Sequence, residues 1–216
     1  RALASAMEAR GLPSNAFPVV REAILNFAAA PVVASLGSFT EATSLSERTG
    51  IPAIFHTAEP SLREILHLAR NTKARMVAGH MNHPSIRLDD AVANARILRD
   101  EGVTIDVSSL DIVHARALCT PEVADALASA GLVDSLTTDY AGGAWEPMLG
   151  LAQRWIKGGH ITLVQGIAMC TSTPADVFGF VDRGQISRGR KADIVVCSPE
   201  NLEDVSMVLI DGVVRN

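Results

Sequence analysis

Ile51-Pro-Ala-Ile-Phe-His56 and Arg75-Met-Val-Ala-Gly-His80 decide how this chain folds. Each is a short apolar run that ends in a histidine, and the residues between them (61–72) follow a helical pattern. Val133-Asp-Ser-Leu-Thr-Thr-Asp139 repeats the plan further on and ends in an aspartate. Runs of this length, bounded by turn residues and separated by helices, read as strands of a parallel sheet.

Working outward, the strand candidates are Val32–Ser35, Ala53–Phe55, Met76–Gly79, Val103–Val107 and Leu132–Thr137. Helix candidates lie near 40–48, 61–72, 88–101 and 121–130. Ser61-Leu-Arg-Glu64 has the form of a capping box, and Thr120-Pro121 and Thr173-Pro174 place a cap residue before a first-turn proline. Trp145, Met148, Leu149, Ala152, Trp155 and Ile156 recur at helical spacing, so a further helix follows the Asp139 loop, with the tryptophans as core. Beyond about residue 180 the pattern changes. Ala192-Asp-Ile-Val-Val-Cys197 and Val205-Ser-Met-Val-Leu-Ile210 lead to Asp211-Gly212, a strong hairpin signal. The expected organisation is a partial (β/α) barrel over 1–180 and a small β segment over 181–216.

The chain of 216 residues is 48% hydrophobic, enough to bury a good core. A net charge of −5 with scattered Lys and Arg leaves no basic stripe for nucleic acid. The longest apolar stretch, Ala28 to Leu36, is broken by Pro31 and is no membrane span. Cys119, Cys170 and Cys197 are odd in number and widely spaced, as in a reduced cytoplasmic protein without disulfides.

Five strand–helix units are visible, whereas a (β/α)8 barrel needs eight and usually about 250 residues. The alternatives are an open sheet or the C-terminal part of a barrel. A start at Arg1, inside helix-like sequence, favours the second, with an N-terminal barrel portion expected to complete the fold.

Ligands of parallel α/β folds bind beyond the C-terminal ends of the strands. His56, His80 and Asp139 map there, each followed by a small or polar loop. Imidazoles and a carboxylate suit a divalent ion, zinc above all, and a metal-bound water attacks near neutral pH. On this reading His56, His80 and Asp139 are metal ligands, and His80 and Asp139 also serve catalysis. His83, Asn82 and Tyr140 lie on the adjoining loops as candidate substrate contacts, and Glu59 is a further loop acid. The first three read equally as ordinary loop residues, and Glu59 reads more readily as a solvated loop acid. No His-x-His pair occurs anywhere in the chain.

The order of the two histidines and the aspartate resembles the amidohydrolase superfamily of metal-dependent hydrolases. So do Gly184-x-Ile-x-x-Gly189-x-x-Ala192-Asp193-Ile-Val, Val208-Leu-Ile-Asp-Gly212 and the preceding Ile167-Ala-Met-Cys-Thr-Ser-Thr-Pro174-Ala175. Locally, His56-Thr, Gly79-His80-Met-Asn82 and Thr138-Asp139 look most like the dihydroorotase, enamidase and isoaspartyl dipeptidase side of that superfamily. The resemblance implies an α/β fold: the C-terminal part of a (β/α)8 TIM-like barrel, with about five βα units, followed by a small β segment of a composite β-sandwich. It places His56 after strand 5, His80 after strand 6 and Asp139 after strand 8. In two-metal members His56 and His80 would share one ion, and Asp139 would bind the other and shuttle protons. In one-metal members His56 and Asp139 would hold the ion, and His80 would position water or substrate. The implied activity is hydrolysis of a C–N bond in a small molecule, in a cytoplasmic homo-oligomer. The alternative is a non-catalytic subunit that keeps the fold without a complete metal site.

Overall fold

In the computed structural model, residues 37–109, 120–139 and 147–215 are described. The chain divides into two compact units, Arg1–Glu41 and Ala42–Asn216. In the first, the described residues 37–41 are helical. The second opens on helical residues 42–49 (α1) and continues through β1 (Ala53–His56), a 3-10 turn (Glu59–Ser61), α2 (Leu62–Asn71), β2 (Met76–Gly79), α3 (Leu88–Asp100) and β3 (Thr104–Ser108). It then runs through α4 (Pro121–Ser129), β4 (Ser135–Thr137), α5 (Met148–Lys157), α6 (Leu163–Cys170), α7 (Ser172–Phe178), β5 (Ile194–Cys197), β6 (Val205–Ile210) and β7 (Val213–Arg215).

Strands β1 to β4 form one sheet in sequence order, all parallel. The alternation is therefore as expected, except that the candidate strand Val32–Ser35 lies outside the described residues. Register gives each face its character. Ile54 pairs with Val77, His56 with Gly79, and Asp106 with Ser135. Side chains alternate along a strand, so Ile54, His56, Asp106, Ser108, Ser135 and Thr137 share one face. Phe55, Ala78, Ile105, Val107 and Leu136 take the opposite face and are buried. There α3 packs on β3 and α6 on β4. Leu98, Leu127 and Leu151, with fully buried Trp155, extend this core among the helices.

Local signals behaved unevenly. Thr120 takes the N-cap position of α4 ahead of Pro121, but its side chain makes no capping hydrogen bond. The Ser61 hydroxyl does not cap α2 but turns back to the His56 carbonyl and the Ala58 amide, 3.1 and 2.9 Å away. Helix α7 starts at Ser172, which puts Thr173-Pro174 inside its first turn. A capping box absent from the sequence reading joins Thr162 and Gln165 at the start of α6.

Strands β5 to β7 form a separate antiparallel sheet. Ile210 pairs with Val213 across Asp211-Gly212, whose φ values of 50° and 76° are those a type I′ hairpin turn requires. Leu202, 3% exposed, fastens the segment before β6 to α5 through its amide, which donates to Gln153 Oε1 at 2.9 Å.

Candidate active site

Strands β1, β2 and β4 end at the same edge of the parallel sheet, and each ends in or is closely followed by one of the expected residues. His56 closes β1, His80 follows β2 and Asp139 lies two residues past β4. Gly79 permits the close approach of β1 and β2: a Cβ there would stand 3.3 Å from both Ile54 Cγ2 and the Phe55 carbonyl. His80 Nε2 lies 3.3 Å from Asp139 Oδ2. The His56 ring lies 4.9 Å, centroid to centroid, from His80 and 5.2 Å, edge-on, from His83. The structure thus brings together His56, His80, His83 and Asp139 from two adjacent strand ends and a third element.

The backbone at this mouth is strained. His80 has φ 61° and Asp139 φ 44°, left-handed values that side chains other than glycine adopt rarely. Burial holds the His80 imidazole below its ordinary pKa, with Asp139 pulling the other way and His56 adding to the depression. The ring is therefore neutral near pH 7, the form that offers a lone pair. His83 is depressed as well, by burial first and then by His56 and His80. Its Nδ1 accepts the Ser85 amide at 3.1 Å and sits 2.8 Å from the Ser85 hydroxyl. That leaves the proton of the neutral ring on Nε2, so His83 is built as a donor.

The remaining candidates divide. Asn82 is fully buried, and its amide clips the backbone of Ser108, donating to the carbonyl at 2.9 Å and accepting the N–H at 3.0 Å. Its polar groups therefore hold the 80–83 turn against β3. Glu59 is exposed on the 3-10 turn. Tyr140 lies outside the described residues.

Sequence reasoning missed Asp106. It sits in mid-strand, 3% exposed, and lines a cavity of about 290 Å³ together with His80, Ser135, Thr137 and Asp139. Its carboxylate accepts the Ser135 hydroxyl at Oδ1 and the Thr137 hydroxyl at Oδ2, each at 2.9 Å. Burial pushes this carboxyl up to about 7 even so, against the pull of those hydrogen bonds. A signal was present: Thr104, Asp106 and Ser108 alternate with apolar residues in an otherwise buried strand.

The donor set suits a divalent ion in kind and spacing. Bonds of about 2.1 Å in a tetrahedral zinc site place two ligand atoms about 3.4 Å apart, close to the 3.3 Å between His80 and Asp139. The number of donors is smaller than such an ion takes: among the described residues, no three His, Cys, Asp or Glu side chains converge tightly enough to hold one.

The sequence pattern of the Amidohydrolase family matches residues 13–215. The chain belongs to this family. No curated protein sequence matches it significantly. Among solved structures, an enamidase described as an amidohydrolase superfamily member is similar, with TM-score 0.59 and 20% identity over 80% of this chain and 50% of its own. Dihydropyrimidinase from Brevibacillus agri gives TM-score 0.57 and 20% identity, covering 72% of this chain and 47% of that one. N-acyl-D-glutamate deacylase from Bordetella bronchiseptica, complexed with zinc and a phosphonate mimic of the tetrahedral intermediate, gives 0.53 and 19%, covering 72% and 50%. The chain spans about half the length of these structures. Its four parallel strands are part of a TIM-like barrel fold.

Proposed function

We propose that this chain carries the C-terminal part of the active site of a metal-dependent hydrolase that cleaves a C–N bond in a small molecule. Amides, cyclic amides and deamination substrates are the bonds in view. The observation that carries the reading is the meeting of His80 and Asp139 at 3.3 Å, beside His56, at strand ends of an amidohydrolase-family barrel. Zinc is the proposed ion, on the imidazole and carboxylate donors and on the zinc held by the structurally similar deacylase.

His56, His80 and Asp139 would supply at most two donors to any one ion, with the remaining donors coming from outside the described residues. Once bound, a divalent ion supplies a water acidic enough to give hydroxide near neutral pH. Asp139 is the base. Its side chain is 43% exposed at the mouth, so it reaches both solvent and substrate. It takes the proton of the attacking water and returns it to the leaving nitrogen. Neutral His80 orients that carboxylate or adds its own lone pair. His83, with its proton on Nε2, donates to a substrate oxygen. Tyr140 is proposed as a further substrate contact, whereas Asn82 acts through the turn it holds. No described helix is long and apolar enough to cross a membrane. A cytoplasmic homo-oligomer, acting on a small molecule with no nucleic-acid partner, completes the proposal.

Asp139→Asn in the full-length gene product tests this reading. Turnover is expected to fall about 10²- to 10⁴-fold, the usual contribution of a general base, with an unchanged circular dichroism spectrum. Near-normal turnover would remove Asp139 from the mechanism. The shortage of converging donors among the described residues favours a second reading, a non-catalytic family member. Elemental analysis separates the two. Lack of stoichiometric divalent metal, together with no stimulation by added zinc or manganese, would establish the second.

A further inference from the structure

We propose that Asp106 is a positioning residue: its carboxylate fixes the geometry at which His80 and Asp139 meet. This rests on the reading of that pair as the working site. The residue sits where three elements converge. One carboxylate oxygen takes the Ser135 hydroxyl and the other the Thr137 hydroxyl, both at 2.9 Å, which ties β3 to β4 just before Asp139. The Asp106 carbonyl accepts the amide of Met81, the residue after His80, at 3.0 Å. The turn leaving β2 is thus tied through its main chain to the same residue of β3.

That capture matters because His80 has φ 61° and Asp139 φ 44°. A non-glycine residue stays in this region only when its surroundings over-determine it. Asp106 supplies the constraint for His80 through the main chain and for Asp139 through the end of β4. The carboxyl suits the task because its two oxygens accept from two hydroxyls of β4. Both oxygens are already engaged by hydroxyls, so it orients the site rather than serving as a spare ligand. An apolar side chain of the same size would fill the volume and fix nothing.

Asp106→Asn keeps the volume and turns one acceptor into a donor. It is to be tested in the full-length protein by two readouts. The first is hydrogen exchange of the Met81 amide in metal-free protein. Exchange is expected to accelerate at least tenfold, while the amides of Ile105 and Val107 keep their protection. The second is steady-state kinetics, with kcat expected to fall at least tenfold and KM to stay within threefold. Thr137→Val removes one donor and is expected to move both readouts the same way by a smaller factor. A residue that merely stabilised β3 would lower thermal stability and the exchange protection of the whole strand, leaving kcat per folded molecule unchanged. Unchanged Met81 exchange with kcat within twofold of the parent overturns the proposal. Should Asp106→Asn fail to fold, the same outcome in Thr137→Val overturns it. If the parent protein hydrolyses nothing, the functional reading of the site fails on its own, and the exchange comparison still decides whether Asp106 holds the turn.

Discussion

The two ends of the parallel sheet are built on different terms. At the C-terminal end the chain leaves β2 and β4 by way of His80 and Asp139, both in left-handed conformation and both near neighbouring polar groups. At the N-terminal end no described residue other than glycine adopts a positive φ. There the Arg75 guanidinium gathers the carbonyls of Gly50, Asp176 and Val177 and so pins α7 beneath the strands. The strands are the same, yet one end tolerates strain and the other removes loose ends. Strain at a ligand-facing end and satisfaction at the opposite end are what a division between chemistry and stability predicts.

The largest effect that could break this division comes from His80→Asn. Asparagine tolerates the left-handed region well, so the variant should fold and melt within a few degrees of the parent. It lacks the imidazole, and turnover is expected to fall about 100-fold or more, the lower bound for a group acting in proton transfer. Kinetics beside a thermal melt checks both halves. A large drop in melting temperature would show that His80 supports the fold and that the mouth is not given over to chemistry.

How far the sequence could be read follows the same divide. The apolar runs and their spacing announced β1 to β4, because a strand buried among helices must be apolar and short. The strand-end rule then led to His56, His80 and Asp139. It could not lead to Asp106, which sits in the middle of β3 and becomes visible only when pairing sets it beside Ser135. Polar alternation in Thr104, Asp106 and Ser108 is the available clue, although such alternation also marks an ordinary half-exposed strand. Asn82 illustrates the opposite error. It sits on a loop beside a candidate ligand, but its amide matches the backbone groups of Ser108 so well that none is left over. Side-chain partners that come from distant strands are set by register, and register is not written locally. Val32–Ser35 and Tyr140 lie outside the described residues.

Arg75→Ala probes the stable end. It removes hydrogen bonds from an exposed guanidinium to three carbonyls, two of them at the end of α7. Because water replaces part of what is lost, the expected destabilisation is about 1 kcal/mol. Turnover per folded molecule should stay within twofold. Chemical denaturation and kinetics on the same preparation measure both, and a tenfold fall in kcat at unchanged stability would tie the floor to the chemistry above it.

The smallest effect sharpens the comparison, because each end of β4 carries an aspartate. Asp139 serves the mouth, while Asp134, just before the strand, accepts the Ile105 amide at 2.9 Å and pairs with Arg99 at 2.8 Å. Burial raises the Asp134 pKa, and the Ile105 and Arg99 contacts only partly offset it. The folded state therefore holds this proton to higher pH than the unfolded chain does. Stability from the group is complete below its ordinary pKa, 3.8, and declines as pH rises through the raised folded value. Asp134→Asn has no proton to lose and can still accept from Ile105. Its melting temperature relative to the parent should therefore climb as pH is raised from about 4 toward neutrality, by an amount set against the constant loss of the Arg99 partner. Paired melts across that range decide it. A difference that stays flat or falls with pH would mean that the floor acid is as comfortable ionised as one in water, and that burial at this end carries no electrostatic cost.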